Sequence, residues 1–262
     1  MSLIKPFRGG FKNGINTYND TYDQTGMNFD ILIMEKNETF SICEGEKEIA
    51  VTVIQGKGVF HFQDEDICFD RENWIENDPT VVHVGPGEKV TISSETQSRI
   101  AIVKTENPNQ FSGSVYTTDK IDTEHRGKDQ LEDTCYRLVR LAFDDTIAPK
   151  EAKLVIGEVL NFPGRWSSYP PHYHPQPEIY YYEISPSWGY GHGELGDNVY
   201  KIENGDVLAI TNSKTHSQTS APGFYMYYLW AIRHGDKKRY DGFTYITPVS
   251  YTHLTLPTIY SV

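Results

Sequence analysis

Two histidines one residue apart open the chemistry of this chain. His172 and His174 lie in the stretch RWSSYPPHYHPQPEIYYYEI, residues 165–184, and Glu178 follows four residues after His174. In an extended segment residues i and i+2 project to one face, so both rings can converge on one ion, and Glu178 falls in step with them. Neutral imidazoles with one carboxylate suit a borderline divalent ion such as Zn, Mn, Fe, Co or Ni. A catalytic centre of this type needs three or four protein ligands and a position left open for water or substrate. His216, beyond the run GDVLAITNSKT, is the expected further ligand, carried back by the turn that Gly205 and Asp206 announce. The other histidines carry less. His61 in FHF and His83 in VHV each stand alone on a strand and read as packed side chains, while His192 sits in the glycine-rich YGHGELG and reads as a solvated loop residue.

The elements that position these residues read as strands. Short apolar or alternating runs recur between turn signals: FDILIM (29–34), IAVTVIQG (49–56), TVVHVGPG (80–87) and IAIVKT (100–105), then CYRLVRLAF (135–143), AKLVIGEVLNF (152–162), EIYYYEI (178–184) and FYMYYLWAI (224–232). Alternation over four to eight residues, closed by Gly-Pro or Asn-Gly punctuation, is the pattern of a sandwich or barrel. The aromatic content of 13%, with 18 tyrosines, agrees with a β-rich chain. The expected organisation is an N-terminal unit over 1–112 without a metal site, a linker over 113–134, and a metal-bearing unit over 135–248. The last stretch, 249–262, is uncharged, and Val249–Thr258 matches the in-frame translation of a common transposon-type sequencing adapter, so it reads as a non-native tail.

Charge excludes some partners. With 24 basic and 36 acidic side chains the formal charge is −12, which repels nucleic acid and anionic membrane surfaces. A small anionic substrate needs only a local basic pocket. The three cysteines, Cys43, Cys68 and Cys135, form no CxxC pair, which fits a reducing compartment. The opening MSLIKPFRGG lacks an apolar signal core, so the expected location is cytoplasmic.

Gly164, His172, His174 and Glu178, followed by Gly205, Asp206 and His216, form the pattern of the cupin superfamily. The intact WSSYPPH (Trp166–His172), with Ala221–Gly223 and Tyr227–Leu229, resembles more specifically the 5-deoxy-glucuronate isomerase family of inositol catabolism. That resemblance implies an all-β bicupin, two tandem jelly-roll β-barrel or double-sheet domains of which the second holds the metal. Tyr173 and Pro175 stand where the family keeps a lysine and an aspartate.

The resemblance implies an aldose–ketose isomerisation of a deoxy-uronic acid, 5-deoxy-D-glucuronate to 5-dehydro-2-deoxy-D-gluconate. A divalent ion on His172, His174, Glu178 and His216 would polarise the carbonyl and orient the enediolate oxygens. Glu178 and a pocket tyrosine (Tyr180, Tyr182 or Tyr227) are the expected catalytic groups, with a metal-bound hydroxide as the alternative base. Arg165, Lys201 or Arg233 would hold the substrate carboxylate. Sheet edges make a homo-oligomer an expected assembly. Three other readings stand beside this one: a 4-deoxy-5-keto-uronate ketol-isomerase of pectin breakdown, a non-catalytic metal-bound sugar-binding cupin, and an iron oxygenase.

Overall fold

The computed structural model describes residues 2–235 and 238–246; the expected tail over 249–262, with His253, lies outside them. With 53% of the chain in strands and 5% in helices, strands and the links between them position the site. No helix among the described residues is long and apolar enough to cross a membrane.

The first half is a nine-stranded sheet that folds over itself. Its spine is the 16-residue strand Lys47–Phe62, which pairs with Val81–Val84 and Ser98–Glu106 at one end and with Glu65–Arg71 and Lys89–Ser94 at the other. The bend falls at a register shift between Val53 and Gln55, next to Gly56. Gly56 has φ +129, and a Cβ there would lie 2.2 Å from Ser98 Oγ, so only glycine fits. Ile49, Val51, Phe60, Val82, Ile92 and Ile102 fill the space between the two arms.

The second half is a true two-layer sandwich. Its seven-stranded sheet runs in the order Leu3–Ile4, Val207–Ile210, Glu178–Ser185, Tyr225–Arg233, Leu154–Asn161, Arg137–Phe143, Thr123–Arg126. The opposing five-stranded sheet runs Asn198–Ile202, Gly191–Leu195, His216–Ser220, Trp166–Tyr173, Thr244–Tyr245. Two details depart from a simple division of the chain. Leu3 and Ile4 pair with Leu208 and Val207 of the second half. The expected linker carries Ser114–Tyr116 onto the first sheet and Thr123–Arg126 onto the second.

The seven-stranded sheet is buried on both faces, and strand parity sorts its tyrosines. Tyr180, Tyr182 and Tyr228 face the sandwich interior with Val139, Leu208 and Met226. Ile179, Tyr181, Tyr227 and Leu229 face the first half, against Phe29, Ile31 and Trp74. Three buried carboxylates then tie the halves together. Glu158 is paired by Arg71 at 2.5 Å and by Arg140 at 2.9 Å. Glu183 accepts from Trp74 Nε1 at 2.9 Å and from Arg99 at 2.7 Å. Glu48 accepts the backbone N–H groups of Lys153 and Leu154 at 2.7 and 2.9 Å. Burial pushes the Glu48 carboxyl up, but His83 and those two amides outweigh it and hold it below the ordinary carboxylate value.

Candidate metal centre

The cluster forms where the two sheets of the second half meet. His172 sits near the end of Trp166–Tyr173, with its Cα opposite that of His216 on the neighbouring strand. The pairing between these strands shifts register between Ser167 and His172. Pro170 and Pro171 occupy that gap, where they cannot donate to a ladder. The short link His174–Pro177 then crosses to the other sheet, and Glu178 opens an interior strand there, Glu178–Ser185.

His174 Nε2 lies 3.0 Å from Glu178 Oε2, and His216 Nε2 lies 3.4 Å from the same oxygen. Ligand atoms of these three residues all fall within 4.8 Å of one another. His172 stands just outside that group, its ring 4.3 Å from that of His216, with Nδ1 buried and without a hydrogen-bond partner among the described residues. Burial lowers the pKa of both His172 and His216, which keeps the rings neutral.

The second contact of each ring fixes its tautomer. His174 Nδ1 lies 3.0 Å from the Gln176 carbonyl, and His216 Nδ1 lies 3.1 Å from the Lys214 carbonyl. A carbonyl only accepts, so each Nδ1 carries a proton and donates, which in a neutral ring leaves the lone pair on Nε2. In their neutral forms both rings thus turn a lone pair toward the same carboxylate oxygen. A cation resolves that arrangement, and backbone carbonyls that orient metal-binding histidines are the usual outer support of such a centre. The donor set of imidazoles and one carboxylate fits a divalent ion of the Zn, Mn, Fe, Co and Ni group.

A cavity opens beside the cluster. Hydroxyls line one wall: Ser167, Ser168, Tyr180 and Tyr228. Tyr228 Oη lies 2.5 Å from Ser167 Oγ and 3.2 Å from Ser168 Oγ. Ser168 takes a left-handed φ of 52, unusual for a residue other than glycine, and its hydroxyl thereby joins this set. Burial raises the pKa of Tyr180 and Tyr228, so both remain protonated donors. Arg126 and Arg137 line another part. Tyr240, Phe243 and Tyr245 close the far side, with the Phe243 ring tilted against that of His172 at 4.3 Å and Thr244–Tyr245 paired to His172–Tyr173.

His174, Glu178 and His216, three of the expected ligands, thus stand together, with His172 against them. Tyr180, one of the three expected pocket tyrosines, lines the cavity, and the remaining expected site residues go elsewhere. Tyr182 faces the interior but donates to Gln218 Oε1 at 2.7 Å, away from the cavity. Tyr227 points to the first half and donates to Glu158 Oε2 at 2.9 Å. Arg165 lies over the rings of Tyr136 and Phe162. Lys201 is exposed and pairs with Glu203 at 2.9 Å. Arg233 Nε donates to Thr105 Oγ1 at 3.0 Å. None of these five lines the cavity. Arg126, Arg137, Tyr228 and the 240–245 segment were not anticipated. Two arginines inside the apolar run CYRLVRLAF were the available sign.

The covering segment is held by a titratable group. His234 Nδ1 accepts the Tyr240 backbone N–H at 2.8 Å. Burial, assisted by the charge of Arg239, pushes His234 down to about 4 from 6.5. An unfolded histidine takes up its proton near 6.5 and the folded one only near 4, so stability falls as pH drops across that window. The melting temperature of the wild type is expected to decline over this range, more steeply than that of His234→Gln. Equal slopes in the two proteins would count against the role of His234.

The sequence model of the KduI/IolB family matches residues 3–245. A protein named 5-deoxy-glucuronate isomerase from Halalkalibacterium halodurans is 27% identical over 260 residues, covering 90% of this chain and 93% of the relative. A solved IolB-like protein from Salmonella typhimurium LT2 superposes with a TM-score of 0.79 at 19% identity, over 90% of this chain and 94% of that one. Oxalate decarboxylase from Bacillus subtilis superposes with a TM-score of 0.64 at 13% identity, over 95% of this chain and 80% of that one. These likenesses and the curled sheets make the fold an all-β bicupin of two tandem jelly rolls. The chain belongs to the KduI/IolB family.

Proposed function

We propose that the protein is a metal-dependent aldose–ketose isomerase of a deoxy-uronic acid, converting 5-deoxy-D-glucuronate to 5-dehydro-2-deoxy-D-gluconate in inositol catabolism. The observation that carries this reading is the cluster of two Nε2 lone pairs and a carboxylate oxygen, in a family whose relatives bear the isomerase name. His172, His174, Glu178 and His216 are assigned as the residues that hold a divalent ion. Bound there, the ion would supply Lewis-acid polarisation of the sugar carbonyl and charge for the developing enediolate.

The side chains around it divide the remaining work. Tyr180 and Tyr228, kept protonated by burial, donate hydrogen bonds to oxygens that gain charge. Ser167 and Ser168 hold the Tyr228 hydroxyl in place. The proton that moves between adjacent carbons needs an acceptor. Glu178 is the one carboxylate among the residues that line the cavity. Its Oε2 faces the two imidazoles, and we assign its Oε1 as the atom that takes the proton from C2 and returns it at C1, while the C2 hydroxyl proton passes to the C1 oxygen. Tyr240, Phe243 and Tyr245 exclude water from the exchange. Free Cys43, Cys68 and Cys135 support a cytoplasmic setting.

The test is elemental analysis followed by an anaerobic assay on 5-deoxy-D-glucuronate, monitored by NMR. Expected are about one ion per chain and conversion without a redox cosubstrate. Full metal occupancy without turnover would overturn the isomerase reading. Oxygen consumption would move the protein to oxygenase chemistry, and saturable sugar binding without turnover to a binding role.

A further inference from the structure

Arg137 carries a charge that no carboxylate among the described residues answers. It opens the strand Arg137–Phe143, is 5% exposed, and lines the same cavity as His172, His174 and Glu178. Taking a guanidinium out of water costs several kcal/mol, so buried arginines are ordinarily matched to carboxylates. The protein follows that rule three residues further along the same strand, where Arg140 and the buried Arg71 both close on Glu158 of the neighbouring strand. At Arg137 it does not. Among the described residues its recorded acceptors are two backbone carbonyls, Cys135 at 2.8 Å and Tyr169 at 3.4 Å. No carboxylate stands among the leading influences on it; burial first, and the neighbouring charge of Arg126, lower its pKa. A guanidinium nevertheless keeps its proton in a protein.

The second arginine sharpens the contrast. Arg126 also lines the cavity, but it forks onto Glu124 at 2.8 and 2.5 Å, so its charge is matched. Glu178, the carboxylate of the cavity, faces His174 and His216. The cavity therefore has metal-binding acceptors at one side and an unmatched, preorganised cation at another. Two of the five Arg137 donors are held by carbonyls, which fixes the plane of the fork and leaves the others for a planar anion.

We propose that Arg137 is the specificity-determining residue of this site: it binds the carboxylate of the sugar acid and so sets which end of the molecule reaches the cluster. The assignment rests on the sugar-acid isomerase reading for its substrate class, but its evidence is the unmatched buried charge. Arg126 adds a second, longer-range attraction.

The experiment uses the metal-loaded full chain, with calorimetric titration of D-glucuronate against D-glucose and turnover of 5-deoxy-D-glucuronate measured separately. The wild type is expected to bind the acid more tightly than the neutral sugar, and Arg137→Gln to lose about 10- to 100-fold in affinity for the acid alone. KM should rise by a similar factor, with a smaller change in kcat and unchanged metal content. Arg137→Lys keeps the charge without the fork and should fall between the two, which separates recognition from a folding defect. Equal acid binding by wild type and Arg137→Gln overturns the proposal, as does a wild type with no preference for the acid. A wild type that binds the acid through Arg137 yet never isomerises 5-deoxy-D-glucuronate leaves this assignment standing and removes the isomerase reading instead.

Discussion

His174→Ala is expected to drop metal content from about one ion per chain to nearly none and isomerase turnover by about three orders of magnitude or more. The ring it removes supplies one of the two lone pairs aimed at Glu178 Oε2. Two of the three tightly grouped ligand atoms are then left. The loss should also be visible without substrate. An ion that binds only the folded chain stabilises it by mass action, by about 2.7 kcal/mol at a hundred times its dissociation constant. Added metal should therefore raise the melting temperature of the wild type and leave that of His174→Ala where it was. The unloaded variant should itself be less stable than the unloaded wild type, because it loses a buried ring and its Nδ1–H bond to the Gln176 carbonyl, so the readout is the shift on adding metal. Retention of stoichiometric metal by His174→Ala would show that the ion lies elsewhere.

Glu158→Ala should destabilise the protein by about 3–5 kcal/mol, a large part of the total for an ordinary domain. Glu158 answers two guanidiniums at once, Arg71 at 1% exposure and Arg140 at 2%. It also accepts from Tyr227 Oη. Arg140 retains Asp78 at 2.6 Å, whereas Arg71 keeps only the carbonyls of Val53 and Asn77. The cost is thus concentrated in Arg71, which belongs to the other half of the chain. A denaturant titration reads the effect as a lowered midpoint, and Arg71→Met in the same background should recover part of it by removing the stranded charge. A change under about 1 kcal/mol would mean that water reaches this junction.

Much of the site was legible in the sequence because its parity is local. His172, His174 and Glu178 lie within one short stretch, where the two-residue repeat of extended backbone predicts a shared face. His216 was reachable through the turn before it. Tyr180 was among the tyrosines expected at the cavity, but which others join it was not legible, for a physical reason. The strands Glu178–Ser185 and Tyr225–Arg233 are apolar or aromatic on both faces because both faces are buried, so no alternation marks which face meets the cavity. Tyr228 rather than Tyr227 reaches it, and a one-residue difference reverses the role. The cations failed differently. Arg165 adjoins the histidine stretch in sequence, but its side chain turns onto Tyr136 and Phe162, whereas Arg137 arrives from a strand 35 residues before His172. The β-rich character and the two successive halves were visible in the spacing of short runs; the carboxylates between them were not, because a glutamate in an apolar run does not name its partner.

Leu3 and Ile4, paired to Leu208 and Val207, have a consequence for how the chain is made. During synthesis the first strand has no partner until about two hundred residues later, so an early element stays open while the whole first sheet forms. The sheet that presents Glu178 is completed at its edge by the oldest part of the chain. A separately produced second half would therefore lack an edge strand as well as Arg71, Trp74 and Arg99. The sandwich that carries His174, Glu178 and His216 is finished by Leu3 and Ile4, so its formation is tied to that of the first half in time as well as in space.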